Sequence, residues 1–389
     1  MNGDISIVNR PLNEVSLKKI LVSFLISLPM WLVTFVIITK INFKDPYSTI
    51  AKMCVYFLVN ILFFLSVLTG KADKYRVILF TTASVCFPVS FISTLFSLRG
   101  DFMVLTNEVI ASCGVPFCHI VIPQTIVPAL IKKEFIFPGS LGDFRYSIPM
   151  MIIIWLAVTL ALGRGWCSWA CFYGGLEDGF SRIKRKPLIQ NISSKLLMLP
   201  FAILLATALT SAATLSPQYC WWLCPFKAVT EFPEISSVIR LIQTAIFIVL
   251  FAGLVIVLPI LTKKRTQCSF LCPFGAMQSF ANKISPFEIR IDTEKCSGCR
   301  KCMKGCSLYA LDEKSIAAGK TRITCTKCGK CVDHCPRKAV YYHIKGTRLN
   351  VGAGAARMIF IYTAFIIMAA FGGSFITDAL YKTLTFLVK

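Results

Sequence analysis

Seven apolar segments, each about 20 residues long, constrain the fold of this chain more strongly than any other feature of its sequence. They lie at residues 20–39, 51–68, 77–98, 147–162, 196–214, 241–261 and 356–376. A helix of about 20 apolar residues crosses a hydrocarbon core of about 30 Å. Each segment therefore predicts a transmembrane helix, and a mean hydropathy of +0.68 excludes an ordinary soluble globule.

The net charge of +23 is explained by the positions of the basic residues in the loops. Lys and Arg accumulate before the first span and in every second connection after it, as the positive-inside rule describes for cytoplasmic loops. We therefore predict a multi-pass protein of the cell inner (cytoplasmic) membrane, with its N-terminus inside and its C-terminus outside. Membrane lipid is an expected partner. No nucleic-acid-binding module is recognisable, and no nucleic acid is expected.

The segment between the sixth and seventh spans, residues 287–350, is polar and dense in cysteine. The spacing Cys-x2-Cys-x2-Cys-x3-Cys occurs in it twice. In bacterial two-cluster ferredoxins, each such run gives three thiolates to one [4Fe-4S] cluster and its fourth thiolate to the other. The predicted ligands are Cys296, Cys299, Cys302 and Cys335 for cluster 1, and Cys325, Cys328, Cys331 and Cys306 for cluster 2. Structural zinc normally uses paired Cys-x2-Cys arms, so this spacing disfavours zinc.

The same segment carries 14 Lys and Arg against 6 Asp and Glu. A positive field around the clusters would attract an acidic soluble electron carrier. The alternative interpretation is a solvated basic face close to anionic lipid headgroups. The sequence leaves both interpretations open.

Outside the ferredoxin runs, a second cysteine pattern, Cys-x3-Cys, occurs three times, with its first cysteine at Cys167, Cys220 and Cys268. Residues i and i+4 share one face of a helix, so each box offers half of a four-thiolate site. The first and third boxes follow the fourth and sixth spans on the predicted cytoplasmic side. Cys167, Cys171, Cys268 and Cys272 are therefore predicted to hold a third [4Fe-4S] cluster at the membrane boundary. The alternative is a packed interface in which these cysteines act as small hydrophobic residues.

Four cysteines fall in connections predicted to face outside. They are Cys113, Cys118 and the two cysteines of the second box, Cys220 and Cys224. Three interpretations are open: a fourth [4Fe-4S] cluster, disulfides of an oxidising compartment, or a c-type haem with His119 as its ligand. The spacing Cys-x4-Cys-His is longer than the usual Cys-x2-Cys-His, which weakens the haem interpretation.

These motifs resemble those of membrane polyferredoxins of the NapH/NosR/CcoG type. The resemblance is carried by Gly-Arg-Gly-Trp-Cys-Ser-Trp-Ala-Cys at residues 163–171, by Cys-Ser-Phe-Leu-Cys-Pro-Phe-Gly-Ala at 268–276 and by the double ferredoxin run. It covers residues 147–345 and implies an inner-membrane redox protein that serves respiratory reductases or metalloenzyme maturation. The chain departs from the pattern at Phe172, where proline is usual, and residues 1–146 have no recognised counterpart.

The sequence thus predicts a membrane α-helical bundle of about seven spans with an inserted two-[4Fe-4S] ferredoxin-like α+β domain. The predicted units are an N-terminal membrane part with an extracytoplasmic loop (1–146), a membrane core with the three boxes (147–286), a cytoplasmic ferredoxin domain (287–350) and a C-terminal transmembrane helix (351–389).

The expected function is electron transfer, because cysteine patterns dominate and no catalytic triad or carboxylate pair stands out. We expect an electron carrier or redox subunit rather than a stand-alone enzyme. It would pass electrons between a cytoplasmic or quinone-linked donor and a membrane or periplasmic redox partner. The alternative is a maturation or assembly factor that reduces a metal or a thiol for an exported respiratory metalloenzyme.

Overall fold

The computed structural model describes residues 16–43, 45–99, 104–105, 115–116, 118–134, 136, 139–140, 148–189, 192–348 and 352–388. Of the predicted ligands, Cys113 lies outside this set. The prediction of seven spans is confirmed, because seven described helices are long and apolar enough to cross a membrane. They are Leu17–Thr39, Pro46–Thr69, Ala72–Ile92, Ile152–Trp169, Lys195–Thr214, Val238–Thr262 and Ala353–Val388.

The described helices are, in chain order, α1 (Leu17–Thr39), α2 (Pro46–Thr69), α3 (Ala72–Arg99), α4 (Ile122–Ile131), α5 (Ile148–Leu162), α6 (Trp166–Trp169), α7 (Phe172–Phe180), α8 (Leu199–Thr214), α9 (Gln218–Trp222), α10 (Lys227–Thr230), α11 (Val238–Leu250), α12 (Leu258–Thr262), α13 (Thr266–Phe270), α14 (Pro273–Ile284), α15 (Lys301–Gly305), α16 (Glu313–Ala317), α17 (Lys330–Asp333) and α18 (Ala353–Val388). Short 3₁₀ turns cover His119–Val121, Gly163–Gly165 and Ser194–Met198. A π-helical stretch, Phe251–Val257, joins α11 to α12.

The described strands are β1 (Val104–Leu105), β2 (Val115–Pro116), β3 (Gly139–Ser140), β4 (Phe232–Pro233), β5 (Phe287–Ile291) and β6 (Val340–Ile344). Two-residue parallel contacts join β1 to β4 and β2 to β3, whereas β5 and β6 form an antiparallel pair.

The long helix α18 packs against α1, α2 and α3 and forms the centre of this half of the bundle. Phe365 of α18 meets Phe63 of α2 edge to face, with ring centroids 5.3 Å apart. Gly372 lets α18 approach α3 closely, because a Cβ at this position would lie 3.0 Å from Cβ of Ala83. This packing fixes α3, which in turn contacts the helix α7 beside the first box.

The short helices of the boxes turn back into the bundle instead of ending at its edge. The sixth span ends at Thr262, yet Thr266 of α13 donates a hydrogen bond to the carbonyl of Leu254. Eight helical residues correspond to about 12 Å along the axis, so the third box is inside the bundle. The predicted position of this box at the membrane boundary stays a prediction. Non-helical backbone is tolerated inside the bundle because protein surrounds it.

The connection between the third and fourth spans also enters the bundle. His119–Ile131 is a short apolar helical segment, and its buried residues include His119, Gln124 and Pro128. Helix α4 packs against α8 and α14. The extracytoplasmic position predicted for this connection stays a prediction. Residues 119–131 pack between helices because an apolar segment of this length can be buried without spanning the membrane.

The inserted domain lies between α14 and α18 and is built on the β5–β6 pair. Its register runs from Phe287 opposite Ile344 to Ile291 opposite Val340. Alternate side chains of β5 are buried, as expected for a strand with one face on a core. Helices α15 and α17 pack against each other and carry the third cysteine of each ferredoxin run.

A buried ion-pair network joins the bundle to this domain. Arg76 is fully buried and contacts Asp73 at 2.8 Å and Asp178 at 2.5 Å. Arg182 contacts Asp73 at 2.8 Å, and the backbone N–H of Asp73 donates to the carboxylate of Asp333 in the inserted domain. Removing one partner of a buried pair typically costs about 3–5 kcal/mol. The network therefore holds α3, α7 and α17 in one fixed arrangement.

Candidate metal centres

The four cysteines predicted for cluster 2 line one cavity in the inserted domain, here called site 2 (Cys306, Cys325, Cys328 and Cys331). The remaining wall is largely apolar and includes Ile289 and Leu311. The backbone N–H of Ala310 donates to Sγ of Cys306 at 3.3 Å. An enclosed set of four thiols with N–H···S hydrogen bonds fits a [4Fe-4S] cluster, whose potential such bonds tune.

The cysteines predicted for cluster 1 form the more exposed site 1 (Cys296, Cys299, Cys302 and Cys335). The backbone N–H of Ala339 donates to Sγ of Cys335 at 3.3 Å. Cys306 and Ala310 make the same contact in the first run, so the two runs have corresponding local geometry. Cys299 is exposed, and a backbone hydrogen bond from Lys301 lowers its pKa. Site 1 is therefore the thiol site with the most open access to solvent.

The first and third boxes meet inside the bundle as site 3 (Cys167, Cys171, Cys268 and Cys272), and all four cysteines are buried. The side chain of Cys171 lies among those of Cys167 and Cys272, and that of Cys268 lies among those of Cys272 and Cys171. The convergence of these two boxes, predicted from their common spacing, is thus present in the structure.

Burial raises the pKa of the Cys272 thiol to about 12, with a further contribution from Cys167. Thiols in such surroundings become thiolates when a bound metal supplies positive charge. Among the described residues, no three His, Cys, Asp or Glu side chains are arranged for a single metal ion. The residues of site 3 fit an iron–sulfur cluster through their donor type, because four thiolates are its usual ligand set.

Two buried arginines border site 3. Arg164 lies in the motif at residues 163–171 and Arg265 in a basic connection, and neither pattern predicted a role at the site. Arg265 donates from Nη2 to the carbonyl of Cys167 at 2.8 Å and to Sγ of Cys268 at 3.1 Å. Arg164 donates to the carbonyl of Cys268 at 3.3 Å. One sequence feature could have identified both arginines: each stands three residues before the first cysteine of its box.

Glu177 of α7 is a further buried charged residue that the sequence analysis missed. Its carboxylate accepts hydrogen bonds from the backbone N–H of Gln267 at 2.6 Å and of Cys268 at 3.2 Å. Burial raises the pKa of Glu177 to about 7, and the nearby Arg265 opposes this rise. The carboxylate therefore fixes the backbone of the third box from the side of the first box.

The last predicted group of cysteines contains Cys113, Cys118, Cys220 and Cys224. Its described members, Cys118, Cys220 and Cys224, form site 4, which lies in the bundle interior. Tyr173 places its hydroxyl 3.7 Å from Sγ of Cys118, and Gln124 donates to Sγ of Cys220 at 3.5 Å. Apolar and aromatic side chains of the bundle pack around them, and their predicted position on the outer side stays a prediction. All three are free thiols in the part of the chain that the structure describes.

His119 faces site 3 as well as site 4. Its Nε2 lies 3.2 Å from Sγ of Cys171. Its ring lies against Phe172 and Phe274, at 5.2 Å and 4.8 Å between centroids. The contact with Cys171 therefore links the segment that carries Cys118 to the first box.

Aromatic side chains connect the sites. Trp169 of the first box donates from its indole N–H to the carbonyl of Lys327 at 3.2 Å, and Lys327 lies between two cysteines of site 2 in sequence. Tyr173 stacks on Phe226 at 3.8 Å, beside Cys224. Cys302 of site 1 is a neighbour of Cys331 of site 2, so the contacts run from site 1 through sites 2 and 3 to site 4.

Comparison with known families supports the repeat. Three consecutive segments, residues 144–190, 196–240 and 244–291, match the family described as a 4Fe-4S binding domain. Each segment contains one Cys-x3-Cys box. Residues 288–336 match the family described as a 4Fe-4S dicluster domain. Iron–sulfur clusters are thus the cofactors of this chain.

Several curated proteins are similar to about half of this chain. YccM of Escherichia coli K12, whose name provisionally assigns it to electron transport, is 26% identical over 52% of this chain and 57% of its own length. The regulatory protein NosR of Pseudomonas aeruginosa is 23% identical over 54% of this chain and 29% of NosR. The ferredoxin-type protein NapH of Escherichia coli K12 is 24% identical over 47% of this chain and 63% of NapH. No solved structure matches.

The fold and the thiol sites define a multi-pass membrane iron–sulfur protein with a ferredoxin-type domain, which confirms the predicted fold class. Within that class, the chain is similar to the NapH/NosR type of membrane polyferredoxins, in agreement with the resemblance of its motifs.

Proposed function

We propose that this protein carries electrons through the membrane from its ferredoxin domain to a redox partner on the opposite face. The observation that carries this proposal is the sequence of contacts from site 1 through sites 2 and 3 to site 4. Electron tunnelling weakens steeply with distance, so a hydrocarbon core of about 30 Å requires intermediate stations. Sites 3 and 4, both inside the bundle, would supply them.

The proposed ligand sets follow the thiol sites. Sites 1, 2 and 3 would each hold one [4Fe-4S] cluster, and site 4 would hold a fourth with Cys113 as its remaining ligand. A cluster bound at each site would supply one-electron oxidation and reduction. The protein contributes thiolate ligands, hydrogen bonds to sulfur and a dry interior. Trp169, Tyr173 and Tyr219 fill the space between the sites and exclude water from it.

The tyrosine between the two inner sites has a defined position. The hydroxyl of Tyr219 accepts a hydrogen bond from Nε2 of Gln267 at 2.8 Å, and its backbone N–H donates to Gln124 at 2.7 Å. Gln267 is next to Cys268, and Gln124 contacts Cys220. This chain of hydrogen bonds keeps the second and third boxes at a fixed separation, which fixes the tunnelling distance.

The proposed donor side is the ferredoxin domain, on the cytoplasmic side of the inner membrane within residues 287–350. Lys301 is a charged neighbour of the exposed Cys299, and residues 287–350 carry 14 Lys and Arg against 6 Asp and Glu. A field of this sign favours an acidic soluble electron carrier. A quinone-linked donor and a membrane or periplasmic acceptor complete the set of proposed partners.

Anaerobically purified protein is expected to contain at least eight iron and eight acid-labile sulfide atoms per chain, since sites 1 and 2 alone require about that many. The double variant Cys299→Ala, Cys328→Ala is expected to lose the iron of both ferredoxin sites. Iron and sulfide analysis, with electron paramagnetic resonance of the reduced protein, measures this. Stoichiometric zinc without iron would refute the proposal.

Electron transfer across a sealed vesicle is the direct test of the function. With a reduced acidic carrier on the ferredoxin side and an impermeant acceptor trapped inside, we expect transfer in the unaltered protein. The double variant Cys220→Ala, Cys224→Ala is expected to abolish it, because site 4 would lose two ligands. Stopped-flow absorbance of the trapped acceptor measures the rate.

Two controls sharpen this experiment. Cys54→Ala changes an exposed cysteine of α2 that belongs to none of the four sites, and transfer should persist. Raising the salt concentration should slow transfer from the acidic carrier, because the Debye length falls to about 3 Å at 1 M. Unchanged transfer in the Cys220, Cys224 variant would contradict the route through site 4.

A further inference from the structure

We propose that Arg164 and Arg265 are positioning residues that join the two boxes of site 3 and set the charge around its ligands. This inference rests on the proposed cluster at site 3. It assigns a role to two residues that are not ligands and that lie outside the cysteine pattern.

The two arginines make reciprocal contacts. Each precedes the first cysteine of its own box by three residues, and each donates to the carbonyl of the first cysteine of the other box. Arg265 also donates from Nη1 to the hydroxyl of Ser168 at 3.0 Å, within the first box. Because each guanidinium bonds across the site, neither box can move without disturbing the contacts of the other.

The second box provides an internal comparison. The residue three positions before Cys220 is Pro217, which has no charge and no side-chain donor. The residue three positions after the second cysteine also differs: it is Gly174 in the first box and Gly275 in the third, but Lys227 in the second. The arginine–glycine combination is thus specific to the two boxes that meet at site 3.

Burial makes these charges effective. Arg265 is 0% exposed and Arg164 is 2% exposed, so solvent screens neither guanidinium. Four thiolates around a 2+ iron–sulfur core carry a formal charge of about −2. The two arginines place positive charge beside it, and the carboxylate of Glu177, 3.9 Å from Nε of Arg265, opposes part of that charge. Reduction adds a further negative charge. Nearby positive charge therefore favours the reduced state and raises the reduction potential.

The test is a redox titration of the site 3 signal, followed by electron paramagnetic resonance, in the intact protein in detergent. In Arg265→Gln and in Arg164→Gln, we expect the equilibrium to move at least tenfold toward the oxidised state. For a one-electron couple this is a shift of about 59 mV to more negative potential. Arg265→Lys, which keeps the positive charge, is expected to stay closer to the unaltered protein than Arg265→Gln.

A matched control is Lys304→Gln, which removes one charge from an exposed position on the ferredoxin domain and should leave the site 3 potential unchanged. Unchanged potentials in both glutamine variants would overturn the role of the arginines while leaving the proposed function intact. If Arg265→Gln fails to assemble the cluster of site 3, the Arg265→Lys variant provides the test. Assembly of the cluster in Arg265→Lys supports a requirement for positive charge, and failure to assemble it overturns that requirement. Absence of a site 3 signal in the unaltered protein would instead refute the proposed function.

Discussion

Replacing Cys272 with alanine is expected to abolish the same paramagnetic signal that disappears when Cys167 is replaced, although the two cysteines lie 105 residues apart in sequence. Both thiols belong to site 3, and Cys167 lies close enough to Cys272 to raise the pKa of its thiol. Because site 3 is buried, water does not readily replace a thiolate that its cluster has lost. We therefore expect complete loss of the signal in either variant.

Electron paramagnetic resonance and iron analysis of the reduced single variants measure this effect. About four iron atoms per chain should be lost, while the signals of sites 1 and 2 remain. Cys54→Ala is the matched control, because this cysteine of α2 is exposed and belongs to none of the four sites. Loss of two different signals in the two variants would show that the boxes serve separate centres.

Gly174→Ala is expected to disrupt site 3, whereas Gly275→Ala is expected to be tolerated. Both glycines stand three residues after the second cysteine of a box. A Cβ at Gly174 would lie 2.1 Å from Nη2 of Arg265 and 2.5 Å from the carbonyl oxygen of Cys167. A Cβ at Gly275 would lie 3.4 Å from Nη2 of Arg164 and 3.5 Å from the carbonyl oxygen of Cys268.

These distances predict opposite results for the same chemical change. At Gly174 the methyl group would displace a fully buried guanidinium, and overpacking of this kind costs about 1–3 kcal/mol or more. At Gly275 the contacts are ordinary van der Waals contacts. Iron content and the site 3 signal of the two purified variants measure the difference. Equal iron content in both variants would contradict the assigned position of Arg265.

The spans and the ferredoxin ligands were largely predictable from sequence because their signals are local. An apolar run of about 20 residues specifies a membrane helix by its own transfer free energy. The triple spacing around Cys299 and Cys328 is set by the reach of three thiolates to one cluster. Neither signal depends on which other segment lies beside it.

The roles of Arg164, Arg265 and Glu177 were not predictable in this way. In sequence, both arginines follow the pattern of cytoplasmic basic loops, and hydropathy assigns them to water. In the fold, each guanidinium is buried against the backbone of a box about 100 residues away. Only the packing of α13 beside the first box decides that these charges face thiols rather than solvent.

The sequence by itself determined that this protein is a seven-span membrane protein with cysteine sets spaced for iron–sulfur clusters. The tertiary structure decided that the second box and Cys118 pack among buried aromatic side chains of the bundle, near site 3. The physical reason is that hydropathy compares the preference of a segment for lipid with its preference for water. A segment can also be buried in the protein interior, which is a third environment. Inside the bundle, protein groups such as Gln124 and Tyr173 satisfy polar atoms, so short, partly polar segments can be buried there.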